Sequence, residues 1–351
     1  MIRQDRIGDV VLATPLLRAL RHRFPSAFIA AMVRPQIREL LELNPHIDQI
    51  LVYDGNGIDA GRKGFWRQVR MLRKVRFDTA LLLLPRARLT WIAFFARIRT
   101  RISVGLRLDQ VLTATRTVSR HKYIPLRHEA DYCLDLGRAI GVDETDLSVE
   151  LFLSDEERTN AARLLRDNGM RGSHGKKPVI IGIHPGHGYS APNWSTGRYV
   201  ELASLLLRNR NVYVVVTGSE EERPLAEGFR SLPSKRLINL VGALGLRAFM
   251  GVISQMDLLV SASTGPMHIA AGLQIPTVSL FCRLSAASPE LWGPKGNRAQ
   301  ILLPTEGFCG SLCEKDPHVC SFDGGIALAS VYESIAAMVS LEPEGPKSVH
   351  D

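Results

Sequence analysis

The chain has 351 residues, 45% hydrophobic and 23% charged, which suits two ordinary domains and excludes a disordered chain. Its longest apolar runs, 80–84 and 91–96, fall far short of the roughly 20 residues that cross a bilayer as a helix. No charged-then-apolar leader opens the sequence and the cysteines number five, an odd count, so a reducing cytoplasm is expected rather than a secreted disulfide framework. The net charge of +9 is uneven: residues 1–130 carry 24 Lys/Arg against 10 Asp/Glu, and the remainder carries 20 against 25. A basic first half fits a phosphorylated acceptor, an anionic membrane face or simply an arginine-rich solvated surface. Nucleic acid is not expected, because the arginines spread over several elements and no zinc-finger or RNP-like pattern is visible.

In chain order, β-rich apolar runs alternate with helical spacing, the pattern of βαβ units around a parallel sheet. Strands are expected at 27–33, 49–52 and 79–84, and helices at 10–23, 37–43, 66–74, 90–96 and 129–140. A helix over 155–168 opens on a capping box, Ser154 with Glu157 three residues on. Residues 169–178, rich in glycine and lysine, read as a linker. A second series follows, with strands at 179–184, 212–217, 257–261 and 276–281. Helices are expected at 195–208, 223–231, 246–255 and 267–272. The expected organisation is α/β, two facing Rossmann-like domains with parallel sheets, spanning 1–168 and 179–325. A helix and tail over 326–351 is expected to pack back on the first domain. Ligands of such folds sit at the carboxyl ends of the strands.

Four segments carry chemistry. In the first, Asp5-Arg6-Ile7-Gly8-Asp9-Val10-Val11-Leu12-Ala13-Thr14-Pro15, Gly8 permits a tight turn and Asp9 stands at a helix N-terminus. A carboxylate there is either a helix cap or a base. In the second, Ser263-Thr264-Gly265-Pro266-Met267-His268, a strand ends in small residues and Pro266 begins a short helix. Backbone N–H groups at such a start suit a pyrophosphate, with Ser263, Thr264 and His268 as further donors; the alternative is an ordinary capped helix with a packed histidine. The third, His184-Pro185-Gly186-His187-Gly188-Tyr189-Ser190-Ala191-Pro192-Asn193-Trp194, is a glycine-rich turn that a ligand can approach closely; Trp194 reads as helix packing sooner than base stacking. The fourth, Thr217-Gly218-Ser219-Glu220-Glu221-Glu222, places carboxylates where nucleotide folds grip ribose hydroxyls, or merely opens a helix with acidic residues.

Taken together and in order, these segments resemble glycosyltransferase family 9, the ADP-heptose:lipopolysaccharide heptosyltransferases of bacteria. The run from Asp5 to Pro15 is similar to the family's first signature and Thr264-Gly265-Pro266-Met267-His268-Ile269-Ala270-Ala271 to its second. The resemblance implies a GT-B fold, acceptor binding in the first domain and nucleotide-sugar binding in the second. It implies an inverting transfer without metal or other cofactor, in which Asp9 deprotonates an acceptor hydroxyl. Gly8, Arg6 and Thr14 are then expected on the acceptor side. Gly186, His187, Asn193, Glu222, Ser263, Thr264, Gly265, Met267 and His268 are expected around the donor, with Glu222 on the ribose. The implied partners are ADP-heptose and a lipopolysaccharide core or lipid A acceptor, met at the cytoplasmic face of the inner membrane.

Three departures from the family pattern bear on this. Pro192 stands where members usually carry lysine, with Arg198 or His187 as substitutes for that charge, and Ser263 stands where many carry aspartate. Both leave room for a UDP- or GDP-linked donor, or for a binding protein without turnover. Only Met1-Ile2-Arg3 precedes the first signature, so a weakened central strand is expected. Two further features lie outside the signatures. Cys309, Cys313, His318 and Cys320 have a spacing that could hold zinc, with unligated thiols as the other reading. The Arg-rich stretch 86–101, with Trp91, Phe94 and Phe95, suits either a membrane surface or buried packing.

Overall fold

The computed structural model describes residues 1–120, 124–171, 177–186, 188, 191–309, 320–321 and 323–341. The chain divides into two compact units, Met1–Phe152 and Leu153–Asp351.

The first unit opens on two short helices, α1 (Ile7–Val11) and α2 (Thr14–Arg23), where the apolar spacing suggested one. Pro15 explains the break: it lacks an N–H, and in a continuous helix its ring would strike the carbonyl of Val11. The Thr14 hydroxyl donates to that carbonyl instead, at 2.8 Å. The strands are β1 (Ala30–Val33), β2 (Gln49–Val52), β3 (Thr79–Leu82), β4 (Thr100–Val104) and β5 (Arg116–Val118), all parallel, paired as β1–β2 and β3–β4–β5. The N-terminal segment joins these two sheets. Ile2 bridges Met32 on one side and Leu82 on the other, with Arg3 N–H donating to Met32 O at 3.0 Å and Leu83 N–H to Ile2 O at 3.1 Å. A single bridged residue thus does the work of a central strand. Around it pack the fully buried Leu82 and the nearly buried Val69 and Ile92. Each such side chain contributes about 1.5–3 kcal/mol.

Helices α3 (Gly61–Val75), α4 (Ala87–Phe95), α5 (Leu108–Leu112) and α6 (Glu129–Arg138) complete the unit, with a 3₁₀ segment, Pro35–Leu41, where a helix over 37–43 was expected.

In the second unit, α7 (Asp155–Asp167) begins on the expected capping box: Glu157 N–H donates to Ser154 Oγ at 3.2 Å and Ser154 N–H to Glu157 Oε2 at 2.7 Å. It packs on α10 (Leu246–Ile253), where Arg247 grips both Glu157 oxygens at 2.6 Å. The sheet has six parallel strands in the order β11-β10-β9-β6-β7-β8. These are β6 (Val179–His184), β7 (Val212–Val216), β8 (Leu237–Asn239), β9 (Leu258–Ala262), β10 (Thr277–Leu280) and β11 (Ala299–Leu302). Among its helices are α8 (Thr196–Leu206), α9 (Arg223–Ala226) and α11 (Gly265–Gly272). The last helix, Leu328–Val339, packs on α8 and places Val331 and Ile335 in the core of this unit.

Candidate active site

Because every strand of the first unit runs parallel, the segments after them leave from the same carboxyl edge, and Asp9 lies in α1, which follows the bridged N-terminal segment. Asp9 is the third residue of α1, not its cap. Its Oδ2 accepts the N–H of Arg6, the residue preceding the helix, at 3.1 Å. Its Oδ1 accepts Nη2 of Arg3 at 2.9 Å. Arg3 is 1% exposed, and its guanidinium also donates to Asp5 Oδ1 at 2.8 Å, Glu129 Oε1 at 2.9 Å and Cys133 Sγ at 3.2 Å. Arg120 pairs with the other oxygen of Glu129 and lies over the Tyr132 ring. Burial works against the charge on Arg3, but Cys133, Asp5 and Asp9 hold its pKa above the usual value. Burial pushes the Asp5 carboxyl and the Cys133 thiol up, with Arg3 opposing both.

Of the acceptor-side residues, Arg6 is exposed and Gly8 is half-buried inside α1. Thr14 is buried, and its hydroxyl is taken up by Val11 O and by the N–H of Glu150 at 3.1 Å, so it braces the turn.

In the second unit Thr264 precedes α11 and Pro266 occupies its second position. The first turn therefore presents the amides of Gly265, Met267 and His268, which have no intrahelical partner. Ser263 is half-buried beside them, with its own N–H held by Leu280 O at 3.1 Å. Thr264 and His268 are buried, and the Met267 side chain is wholly inside the core. Across the ends of the neighbouring strands runs a buried polar row: Thr217, His184, Ser261 and Ser279. His184 Nδ1 meets Thr217 Oγ1 at 3.0 Å and its Nε2 lies 3.6 Å from Glu222 Oε2. Burial pushes the His184 imidazole down to about 4 against the pull of Glu222, so it is neutral at neutral pH.

Glu222 also accepts the N–H of Ser219 at 2.8 Å. Gly186 faces it so closely that a Cβ there would stand 2.0 Å from Glu222 Oε1, which gives this glycine a steric reason. Asn193 is occupied inside the protein, donating to Pro185 O and accepting from Tyr199 Oη, each at 2.6 Å. Trp194 packs edge-on to Tyr199 and donates to Ile326 O at 3.2 Å, which is packing. Arg198 is engaged with Glu201 and Asp323 O. His187, Cys313 and His318 lie outside the described residues, so the zinc spacing can be followed only at Cys309 and Cys320. No group of metal-ligating side chains occurs among the described residues.

The sequence assigned no role to Arg3, Glu129 or His184, although His184 heads the third segment. The signal for the first two was weak, since an arginine near a terminus and a glutamate 126 positions away share no local pattern. His184 was visible as the polar end of an apolar strand.

Comparison with known proteins fixes the family. The model of glycosyltransferase family 9 (heptosyltransferase) matches residues 65–316. A Haemophilus influenzae protein described only as a glycosyltransferase is 25% identical over 340 residues, covering 95% of each chain. Lipopolysaccharide heptosyltransferase 2 of Salmonella typhimurium is 27% identical over 312 residues, 86% of each chain. The solved structure of ADP-heptose lipopolysaccharide heptosyltransferase II from Escherichia coli superposes with a TM-score of 0.75 at 23% identity, over 97% of each chain. With its two Rossmann-like parallel-sheet units of the GT-B class, the chain belongs to glycosyltransferase family 9, the heptosyltransferase family, and is a glycosyltransferase.

Proposed function

We propose that the chain transfers heptose from ADP-heptose to a lipopolysaccharide core acceptor, with inversion and with Asp9 as the base. The observation that carries this reading is the fixed Asp9 carboxylate, with one donor on each oxygen and 17% of the side chain exposed. The acceptor O–H bond breaks and its proton passes to Asp9 as the oxygen bonds to the anomeric carbon. As that bond forms, the bond from the anomeric carbon to the diphosphate breaks on the opposite face, and ADP leaves with the electron pair. The amides at the start of α11 stabilise the charge that develops on the leaving diphosphate. In this reading Glu222, beside Gly186, accepts from ribose hydroxyls.

The basic first unit favours an acceptor rich in phosphates and carboxylates. Contact with an anionic membrane face is best supported at Leu106, Leu108, Val111 and Leu112, each at least 60% exposed around Arg107. The aromatic residues of 86–101 form a surface cluster with Phe65 and Trp66, Trp91 stacking on Phe95 at 5.8 Å while Phe94 stays 38% exposed.

A thermal-stability screen of ADP-, UDP- and GDP-sugars tests the donor, because a ligand that binds only the folded state raises its melting temperature. ADP-heptose is expected to stabilise; stabilisation by UDP- or GDP-sugars alone would move the assignment to that donor class, in keeping with Pro192 and Ser263.

A further inference from the structure

We propose that Arg3 is the positioning residue of the transfer reaction: its buried guanidinium holds the Asp9 carboxylate in the orientation from which it takes the acceptor's proton. This rests on the reading of Asp9 as the base.

The Arg3 backbone is fixed in the sheet, its N–H on Met32 O at 3.0 Å. Its side chain is anchored at the far end by Glu129, the fully buried first residue of α6, and at Nε by Asp5. Nη1 donates to Cys133 Sγ, and Nη2 is shared between Glu129 Oε1 and Asp9 Oδ1, each at 2.9 Å. Asp9 is thereby tied to the sheet and to α6 through one planar group, while the Arg6 N–H fixes its second oxygen. Lysine offers a single compact charge and could not span Asp5, Glu129, Cys133 and Asp9 together.

Charge count points the same way. Asp5 and Glu129 already supply two negative charges to Arg3, with Arg120 balancing part of Glu129. Asp9 is not needed to neutralise the buried guanidinium. When Asp9 takes up the acceptor's proton and becomes neutral, Arg3 keeps both remaining carboxylates, so the buried cation is never stranded. The arrangement thus fixes the base without depending on its charge.

The test is steady-state transfer from ADP-heptose by Arg3→Lys, Arg3→Gln, Asp9→Asn and the double variant Arg3→Gln/Asp9→Asn, with donor affinity measured on each. Donor affinity within about twofold of wild type shows that the second unit is intact. Arg3→Gln is expected to lower kcat roughly a hundredfold with little change in either KM, the scale of a misplaced catalytic group. Arg3→Lys, which keeps the counter-charge and so protects folding, is expected to fall about tenfold. In the Asp9→Asn background the Arg3→Gln change should cost nothing further, because residues acting as one unit are not additive. Wild-type kcat in Arg3→Lys, or losses that multiply in the double variant, would overturn the positioning role. Wild-type transfer by Asp9→Asn would overturn the base assignment itself, whatever the Arg3 variants do.

Discussion

The two units handle charge in opposite ways at the carboxyl edges of their sheets. In the first, Asp9 is held by the buried Arg3, which is itself paired with Asp5 and Glu129, with Arg120 on the far side of Glu129, so the edge is built mainly of ion pairs. In the second, the corresponding edge carries Thr217, a neutral His184 with Glu222 3.6 Å away, Ser261, Ser279 and the amides of α11, and no buried arginine stands among the described residues there. Under the proposed function, the difference matches the two tasks. A base must be aimed and kept from wandering, which directional charged hydrogen bonds accomplish. A diphosphate brings its own charge, so neutral donors and backbone N–H groups can receive it without a buried cation waiting in its absence.

Four variants or conditions sharpen or break this contrast, in order of expected effect. Glu129→Ala removes a fully buried anion from between two arginines and should cost about 3–5 kcal/mol in chemical denaturation, chiefly in the first unit. A loss below about 1 kcal/mol would mean that the ionic cluster is decoration.

Acid should act on the second unit. His184 has a folded-state pKa of about 4, below its ordinary value of 6.5, so the unfolded chain binds its proton first. Its stability contribution is complete above pH 6.5 and is lost as pH falls toward 4, on the order of 3 kcal/mol in all. His184→Gln should flatten that part of the pH–stability curve. Below it, Glu157 follows the same direction between about 4.5 and 2, since the Arg247 bridge and the Ser154 cap hold its carboxyl down to about 2. A curve with no slope between pH 6.5 and 4 would contradict the neutral-histidine account.

Gly186→Ala should weaken donor binding about tenfold, near 1.4 kcal/mol, because the new methyl displaces Glu222. Isothermal titration with ADP-heptose reads this directly, and unchanged affinity would remove Glu222 from the donor site. Ser261→Ala should be the mildest, within about 1 kcal/mol of wild type and in either direction. It deletes a buried hydroxyl with no hydrogen bond among the described residues, whereas a loss of 2 kcal/mol or more would reveal a partner.

Much of the second unit was legible in its sequence. β6 has the bounds that its apolar run suggested, and the Ser154–Glu157 box caps α7 as its spacing implied. These signals are local, and local chemistry decides them. The second unit's two edge strands, β8 and β11, nonetheless went unread, as did two strands of the first unit. β4 and β5 went unread because arginines at 101 and 116 interrupt their apolar character, and their side chains reach out to carbonyls of neighbouring loops. The central strand was expected to be weak, and it consists of one bridged residue held by hydrogen bonds from both neighbours. Asp9 was legible as a residue at a helix start, with cap and base both open to it. Its surroundings were not: an arginine reads as surface until the fold brings Glu129, 126 positions away, to neutralise it.

The central claim, that Asp9 is the base of heptosyl transfer, is tested most directly by Asp9→Asn assayed for donor binding and transfer in one preparation. The account predicts an ADP-heptose Kd within about twofold of wild type and a transfer rate lowered by roughly 10²–10⁴. Transfer at the wild-type rate with donor still bound would contradict it.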